Sequence, residues 1–313
     1  MEFLTEYGLF LLKAFTIVFA LLFLIAGIFA VGRKPKAKLE ITYLNELYDD
    51  IKNKMSKDVL GKKPKKSKKK STNESKKNIY VIDFTGDIKA TQVDTLRDEV
   101  SAILSIATQH DEVIVRIESP GGTVNGYGLA ASQLQRIRDR NIPLTACIDK
   151  IAASGGYLMA CVADHIIAAP FAILGSIGVV AQMPNFHRWL KKNDIDVELL
   201  TAGEYKRTIT LFGENTAKGR QKFQEDLEDI HHVFRNFIRM NRQIVDVDEV
   251  ATGEHWLAKD ALNLKLIDKL QTSDEYIHDH MKTRGAYKIK IHGKQSLLTK
   301  ILNPAMKLLH PWA

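Results

Sequence analysis

The hydrophobic positions of the chain begin with one long, nearly uninterrupted run. Residues 8–31 are apolar apart from Lys13 and Thr16, and the 19 residues from Ala14 to Gly32 carry no charge. A run of this length predicts a helix that crosses the hydrocarbon core of a membrane. A cleaved signal peptide is the alternative. The acidic start, the length of the run and the basic residues that follow it favour a retained anchor.

The next segment changes from helical periodicity to a lysine-rich stretch. In residues 39–60 an apolar residue recurs at every fourth position, from Leu39 to Val59, which predicts a helix with one apolar face. Residues 61–77 contain nine lysines and none of the residues that build hydrophobic cores. This composition predicts a solvated linker.

From residue 78 onward, patterns typical of strands and helices alternate. β-Branched runs predict strands in residues 78–88, 112–122, 142–149 and 165–170. Helical periodicity appears in the segments between them, at residues 91–110, 126–140 and 154–163. This alternation predicts a layered α/β body.

An uncharged stretch, residues 166–186, raises the alternative of a second membrane span. Pro170, Gly175, Gly178 and Pro184 divide it into short pieces in which β-branched residues cluster. Two short core strands joined by a loop are therefore the favoured interpretation.

The net charge of +8 is confined to one segment. Residues 33–77 hold 16 Lys and Arg against 6 Asp and Glu, whereas the rest of the chain holds 29 against 31. A nearly neutral body argues against nucleic-acid binding, and the lysine-rich stretch has no aromatic residue for base stacking. Its charge suits anionic lipid head groups. Basic residues directly after the apolar run predict that the body faces the cytoplasm.

The two cysteines, Cys147 and Cys161, provide neither a disulfide framework nor the spacing of metal ligands. We expect ordinary buried thiols. No pattern in the sequence indicates a metal or an organic cofactor.

Two glycine-rich turns could form a catalytic centre. Ser154 lies between a predicted strand and a predicted helix, followed by Gly155, and the Gly121–Gly122 turn follows another strand. Helix amino termini present unpaired N–H groups, and glycine permits a substrate backbone to come close. Together these features could form an oxyanion hole beside a serine nucleophile. Phosphate binding and simple close packing are the alternatives.

A serine nucleophile needs a base, and several residues could provide one. His165 stands beside Asp164, and His231 and His232 lie in a charged helical segment, but none has a distinguishing context. Lys206 follows a strand-like segment. A lysine in water has a pKa of about 10.4, and only a desolvated lysine could accept the serine proton at neutral pH. The residues alone leave the base open.

Four motifs in order resemble the signal peptide peptidase A family, and most closely its SohB branch. They are ESPGGTVNGYGLA, KIAASGGYLMACVADHIIAAP, LGSIGVV and AGEYKRTIT, and the resemblance extends over residues 79–270. It implies a ClpP/crotonase-like spiral of β-β-α units. It also implies homo-oligomeric rings in which the catalytic dyad is completed across subunit contacts.

The resemblance further implies a role for each matched residue. Ser154 becomes the nucleophile, Lys206 the general base and Ser176 the residue that orients the lysine. The oxyanion hole falls on the N–H of Gly121 or Gly122, together with that of Gly155. ClpP uses a histidine shortly after its serine, and this chain has none at that spacing, which favours the Ser-Lys pair.

These observations predict a membrane-anchored serine endopeptidase that acts on signal-peptide remnants or membrane-proximal polypeptides. The predicted regions are a membrane anchor (1–32), an amphipathic helix with a basic linker (33–77), a peptidase domain (78–290) and a carboxyl-terminal extension (291–313). We expect the protein to be anchored in the bacterial inner membrane. The basic residues after the apolar run favour a catalytic body in the cytoplasm, whereas the family's better-known members face the exterior. The side of the membrane on which the body lies is therefore left open. The alternatives are a catalytically silent scaffold of the same fold and an acyl-CoA enzyme.

Overall fold

The computed structural model describes residues 2–32, 38–61 and 77–292, with the side chains of the first helix described over residues 6–22. The chain divides into two compact units. One comprises Met1–Glu40 with Ile291–Ala313, and the other comprises Ile41–Lys290. The predicted basic linker lies largely outside the described residues, as does the predicted carboxyl-terminal extension beyond His292.

The first unit contains one long helix, α1, over Glu2–Gly32. Its position confirms that the amino-terminal apolar run is helical. Within the part of the chain that the structure describes, no helix combines the length and hydropathy of a membrane span. The prediction that this run crosses a membrane is therefore not confirmed.

The predicted amphipathic helix is shorter than its periodicity suggested. Lys38–Tyr43 forms strand β1, and helix α2 covers only Leu44–Leu60. Leu39, Ile41 and Tyr43 fit alternation as well as helical spacing, and strand pairing in a sheet decides between the two. The helix ends where Gly61 adopts the left-handed conformation and its N–H bonds to the Lys57 carbonyl.

The larger unit is built on a seven-stranded sheet with the order β1-β10-β2-β3-β4-β6-β9. The pairs from β10 to β9 are all parallel. The strands of this sheet beyond β1 are β2 Asn78–Thr85, β3 Glu112–Glu118, β4 Leu144–Ile148, β6 His165–Ala168, β9 Lys269–Leu270 and β10 Gly285–His292. The described helices after α2 are α3 Val93–Leu104, α4 Val124–Arg138, α5 Gly155–Ala160, α6 His187–Lys192, α7 Ala217–Asn241, α8 Val247–Val250, α9 Ala258–Asn263 and α10 Ser273–Met281.

The sheet has a hydrophobic core on each face, which explains its near-continuous apolar strands. Along β2, Tyr80, Ile82 and Phe84 belong to the larger cluster, whereas Ile79 and Val81 belong to the smaller one. This is the alternation that a strand imposes on its side chains. Helices α3, α4 and α5 supply much of the larger cluster.

A second, three-stranded sheet has the order β5-β7-β8, with β5 at Ile151–Ala153, β7 at Ile173–Gly175 and β8 at His255–Leu257. Strands β6 and β7 lie in and around the uncharged stretch 166–186 and confirm that it forms short strands. The α/β prediction is confirmed, and the β-β-α spiral stays a prediction.

Both cysteines are fully buried, as expected. Burial raises the pKa of the Cys161 thiol to about 12, and burial likewise raises that of Cys147. Both thiols are therefore protonated core side chains at neutral pH.

One stretch of the larger unit contributes nothing to either core. Between Val179 and Phe212 no residue is buried, and the short helix α6 is its only helix or strand. We call residues 179–212 the exposed segment.

Candidate active site

Ser154 occupies a strained position between β5 and α5. Its φ of 51° and ψ of −117° lie in a region that non-glycine residues rarely adopt. Its side chain makes no capping hydrogen bond to α5. The hydroxyl of this half-buried residue therefore stays available for chemistry, while the surrounding structure holds the backbone against strain of about 1–3 kcal/mol.

Backbone hydrogen bonds on two sides hold the segment that ends at Ser154. Ser119, directly after β3, forms a parallel bridge with Ala152, and its carbonyl accepts the Ala153 N–H at 3.0 Å. On the other side β5 pairs with β7, and the Ser154 N–H donates to the Gly175 carbonyl at 2.7 Å. Ser154 therefore lies between the turn after β3 and the end of β7.

Gly121 approaches Ser154 so closely that no side chain would fit there. A Cβ atom on Gly121 would lie 2.7 Å from the Ala153 carbonyl oxygen, the Gly155 nitrogen and the Ser154 Cβ. Its φ of 90° also favours glycine. The structure thus brings together the two glycine turns that the sequence singled out.

Hydrogen bonding distinguishes the N–H groups of these turns. The Gly121 N–H donates to Ser119 Oγ at 3.1 Å, in the protein interior. The N–H groups of Gly122, which is exposed, and of Gly155, the first residue of α5, have no hydrogen-bond partner among the described residues. Two free donors therefore remain near Ser154.

Ser176 also lies close to Ser154, because it follows Gly175, whose carbonyl binds the Ser154 N–H. Its φ of 52° is again unusual for a residue with a side chain, and its own N–H donates to the Glu254 carbonyl at 2.5 Å. Ser176 therefore occupies a held position beside the nucleophile candidate.

Lys206, the predicted general base, has no hydrogen bond to Ser154 or its neighbours among the described residues. It is exposed, in the exposed segment, and its backbone N–H donates to the Gly203 carbonyl at 3.2 Å. Across the described residues, no hydrogen bond joins its ammonium to Ser154. Its predicted role stays a prediction.

Comparison with known proteins identifies the family. The model for the N-terminal part of peptidase family S49 matches residues 2–134, and the model for peptidase family S49 itself matches residues 136–286. A curated relative, described as probable protease SohB of Haemophilus influenzae, is 46% identical over 324 residues, covering 96% of this chain and 92% of its own length. The chain belongs to peptidase family S49. The family predicted from the four motifs is thereby confirmed.

A second curated protein and one solved structure are also similar to this S49 chain. The probable protease SohB of Buchnera aphidicola subsp. Schlechtendalia chinensis is 47% identical, covering 88% of this chain and 99% of its own length. Among solved structures, the membrane-bound stomatin-specific protease 1510-N in complex with a substrate peptide matches with a TM-score of 0.41 and 16% identity. That match covers 66% of this chain and 80% of the other.

His165, the histidine that stands beside Asp164, lies at the opposite edge of the main sheet from Ser119. His165 begins β6, whose parallel neighbours β4 and β3 place it at the amino edge of the sheet, whereas Ser119 follows the carboxyl end of β3. Its Nδ1 lies 3.5 Å from Asp268 Oδ2. His165 is therefore not placed to serve as the base for Ser154.

Sequence reasoning missed two residues next to the site, Ser119 and Tyr127. Both are fully buried, and their hydroxyl oxygens lie 2.5 Å apart. Ser119 begins the SPGG turn, so its position in the motif could have drawn attention to it. Tyr127 reaches the turn from α4, and no local pattern indicates that contact.

Proposed function

We propose that this S49 protein is a serine endopeptidase in which Ser154 is the nucleophile and Lys206 the general base. The observation that carries the proposal is the position of Ser154: a strained serine with a free hydroxyl, packed against Gly121 and flanked by free N–H groups. Strain of this kind concentrates at functional sites. A residue that served packing alone would gain nothing from it.

The mechanism follows from the chemistry of the two side chains. The neutral Lys206 amine accepts the Ser154 proton as the serine oxygen attacks a peptide carbonyl. The resulting ammonium gives a proton to the leaving amine. Water, deprotonated by the same lysine, then hydrolyses the acyl-enzyme. Ser176 holds the lysine in place by accepting a hydrogen bond from it.

The free donors supply the oxyanion hole. The N–H groups of Gly122 and Gly155 stabilise the negative oxygen of the tetrahedral intermediate. The sequence left Gly121 and Gly122 as alternatives. The bond from the Gly121 N–H to Ser119 Oγ supports Gly122 as the donor on this turn.

The exposed segment supports a homo-oligomer in which Lys206 acts at a site shared between subunits. It presents large apolar side chains to solvent, among them Val180 at 89% exposure, Trp189 at 62% and Leu200 at 90%. Such a surface favours association with another protein surface. Covering Lys206 with apolar groups would also favour the neutral amine that a general base requires.

We further propose that residues 8–31 anchor the protein in the bacterial inner membrane and that its substrates are peptides or proteins near that membrane. The apolar composition of α1 and the basic stretch 61–77 support this placement. No nucleic acid or cofactor has a part in the proposed reaction.

A catalytically silent scaffold of the same fold is the alternative function. The apolar exposed segment would suit a binding protein. A scaffold, however, has no use for a strained serine beside free N–H donors.

The test is labelling of the full-length protein by a fluorophosphonate serine probe across a range of pH, alongside peptide hydrolysis. We expect labelling of the wild type to rise with pH, with a midpoint well below the ~10.4 of a lysine in water. Ser154→Ala and Lys206→Ala should abolish both labelling and hydrolysis. Lys192→Ala, which removes another lysine of the exposed segment, is the matched control and should retain both.

Two outcomes would overturn the proposal. Hydrolysis by Lys206→Ala at the wild-type rate would place the base elsewhere. An assembled wild type that neither reacts with the probe nor cleaves peptides would favour the scaffold.

A further inference from the structure

A buried pair of hydroxyl groups lies directly behind the SPGG turn. Ser119 Oγ accepts the Gly121 N–H at 3.1 Å and lies 2.5 Å from Tyr127 Oη. Tyr127 Oη in turn lies 2.8 Å from the Asp87 carbonyl oxygen. Both side chains are fully buried, so no solvent competes for these hydrogen bonds.

The chemistry of the partners fixes the direction of every proton in this chain of hydrogen bonds. The Asp87 carbonyl can only accept, so the Tyr127 hydroxyl donates to it. The Ser119 hydroxyl must then donate to Tyr127 Oη, which leaves Ser119 Oγ to accept from the Gly121 N–H. Burial raises the pKa of the Tyr127 phenol, which keeps its proton in place. These hydrogen bonds connect the Gly121 N–H through Ser119 and Tyr127 to the Asp87 carbonyl, and each of the three donors has an acceptor.

Three glycines make room for this pair of side chains. A Cβ atom on Gly86 would collide with Tyr127 Oη and would lie 2.5 Å from Ser119 Oγ. One on Gly155 would collide with the Tyr127 ring, and one on Gly156 would lie 2.7 Å from the Ser119 carbonyl oxygen. At all three positions, a residue with a Cβ atom would therefore clash with Ser119 or Tyr127.

We propose that Ser119 and Tyr127 are positioning residues that hold the oxyanion turn in its active conformation. The hydrogen-bond chain ties the Gly121 N–H to the protein interior, and the next residue, Gly122, keeps its N–H free for the substrate oxyanion. This inference rests on the proposed peptidase function. It adds two residues that touch no substrate and act through the turn.

The test compares three variants of the full-length protein in peptide hydrolysis. Tyr127→Phe and Ser119→Ala each interrupt the chain of hydrogen bonds. Tyr157→Phe is the matched control: Tyr157 is equally buried, and its hydroxyl donates to the Leu266 carbonyl at 3.0 Å, with no hydrogen bond to the turn. All three remove one buried hydroxyl, so a general loss of packing or stability would affect them alike.

The two interrupting variants should lower kcat at least about tenfold while KM changes less than about twofold, because an oxyanion hole acts on the transition state. The Tyr157→Phe control should keep its kcat within about twofold of the wild type. Since the two residues act as one unit, the double variant should lose little more than the worse single variant. Equal losses of kcat in Tyr127→Phe and Tyr157→Phe would overturn the inference.

Hydrogen exchange of the amides in residues 119–123 provides a readout that does not depend on activity. Exchange should become at least about tenfold faster in Tyr127→Phe and Ser119→Ala, and should be unchanged in Tyr157→Phe. Unchanged exchange in the first two variants would overturn the inference while leaving the peptidase function intact. Conversely, an inactive wild type with this exchange pattern would count against the peptidase function alone.

Discussion

At the scale of single residues, the candidate site is marked by backbone conformations that the amino-acid types do not favour. Among the described residues six non-glycine residues have positive φ, and Ser154 and Ser176 are two of them. They directly follow the neighbouring strands β5 and β7, and the Ser154 N–H donates to the carbonyl of Gly175, the residue before Ser176. The surrounding pairing, not local preference, therefore sets both conformations.

Replacing Gly121 by alanine should remove activity and destabilise the fold by about 3–5 kcal/mol, because both the positive φ and backbone contacts at 2.7 Å oppose a Cβ atom. Gly253→Ala is the control, since Gly253 has a similar φ of 87° and nothing within 4 Å of the added atom. It should lose only about 1–2 kcal/mol. Urea unfolding measures both changes. Equal losses would show that Gly121 does not pack against Ser154 as described.

At the scale of elements, an ion pair network joins three neighbouring strands of the main sheet. Asp83 on β2 lies opposite Arg116 on β3, with Nε and Oδ1 2.6 Å apart, and Lys288 on β10 approaches its other oxygen, also at 2.6 Å. Burial by itself would raise the pKa of Asp83, but the hydrogen bonds from Arg116 and Lys288 outweigh it and lower the pKa below 3.8. The network therefore favours the charged carboxylate in the folded state.

The sign of this shift predicts how stability depends on pH. A carboxyl with a lowered folded-state pKa stabilises the protein above its unfolded-state value and loses that contribution as the pH falls through the folded-state value. Asp83→Asn should therefore reduce the free energy of unfolding by about 1 kcal/mol near neutral pH, a figure that allows for solvent screening of a partly exposed group. The difference should disappear in strong acid.

Denaturant unfolding from about pH 7 to about pH 2.5 checks this prediction. Asp94→Asn is the control, because the Asp94 side chain is 79% exposed in its pair with Arg97 and should contribute little at any pH. If Asp83→Asn lowered the free energy of unfolding equally at both ends of this pH range, its effect would be due to packing and not to charge.

At the scale of the whole molecule, the predicted nucleophile and the predicted base lie in contrasting surroundings. Ser154 is held by core strands, whereas Lys206 lies in a stretch of 34 residues with none buried. We propose that subunit association covers these apolar side chains and Lys206 together, and that the proposed dyad forms only in the assembled protein.

The paired change Trp189→Glu with Leu200→Glu should convert the assembled protein to monomers and abolish hydrolysis, because charges at these two positions oppose burial in a subunit contact. Light scattering of the detergent-solubilised protein reports its mass. Ile106→Glu is the control, since Ile106 is also 63% exposed but lies outside the exposed segment. Full activity from a monomer would refute the dependence on assembly.

Local patterns predicted much of the larger unit correctly. Strands β2, β3, β4 and β6 lie where β-branched runs placed them, and the uncharged stretch 166–186 forms short strands as expected. The helix predicted over residues 39–60 was wrong at its start, where Lys38–Tyr43 forms strand β1. The apolar spacing of these residues fits a helix and a strand equally well. Whether such a segment forms a strand depends on the strand it pairs with, here β10 far along the chain, and a local pattern gives no information about that partner.

By itself, the sequence determined the family, the α/β class and the two glycine turns, because these depend on residue types in fixed local order. Tertiary structure alone decided which atoms of those turns are free. The Gly121 N–H is bound by Ser119, and Ser119 is bound by Tyr127 from helix α4, so the N–H of this turn that stays free among the described residues is that of Gly122. The strain at Ser154 likewise results from contacts between segments distant in sequence, whose geometry no local pattern specifies. The exposure of Lys206 reflects the absence of covering contacts among the described residues, which no local pattern specifies either.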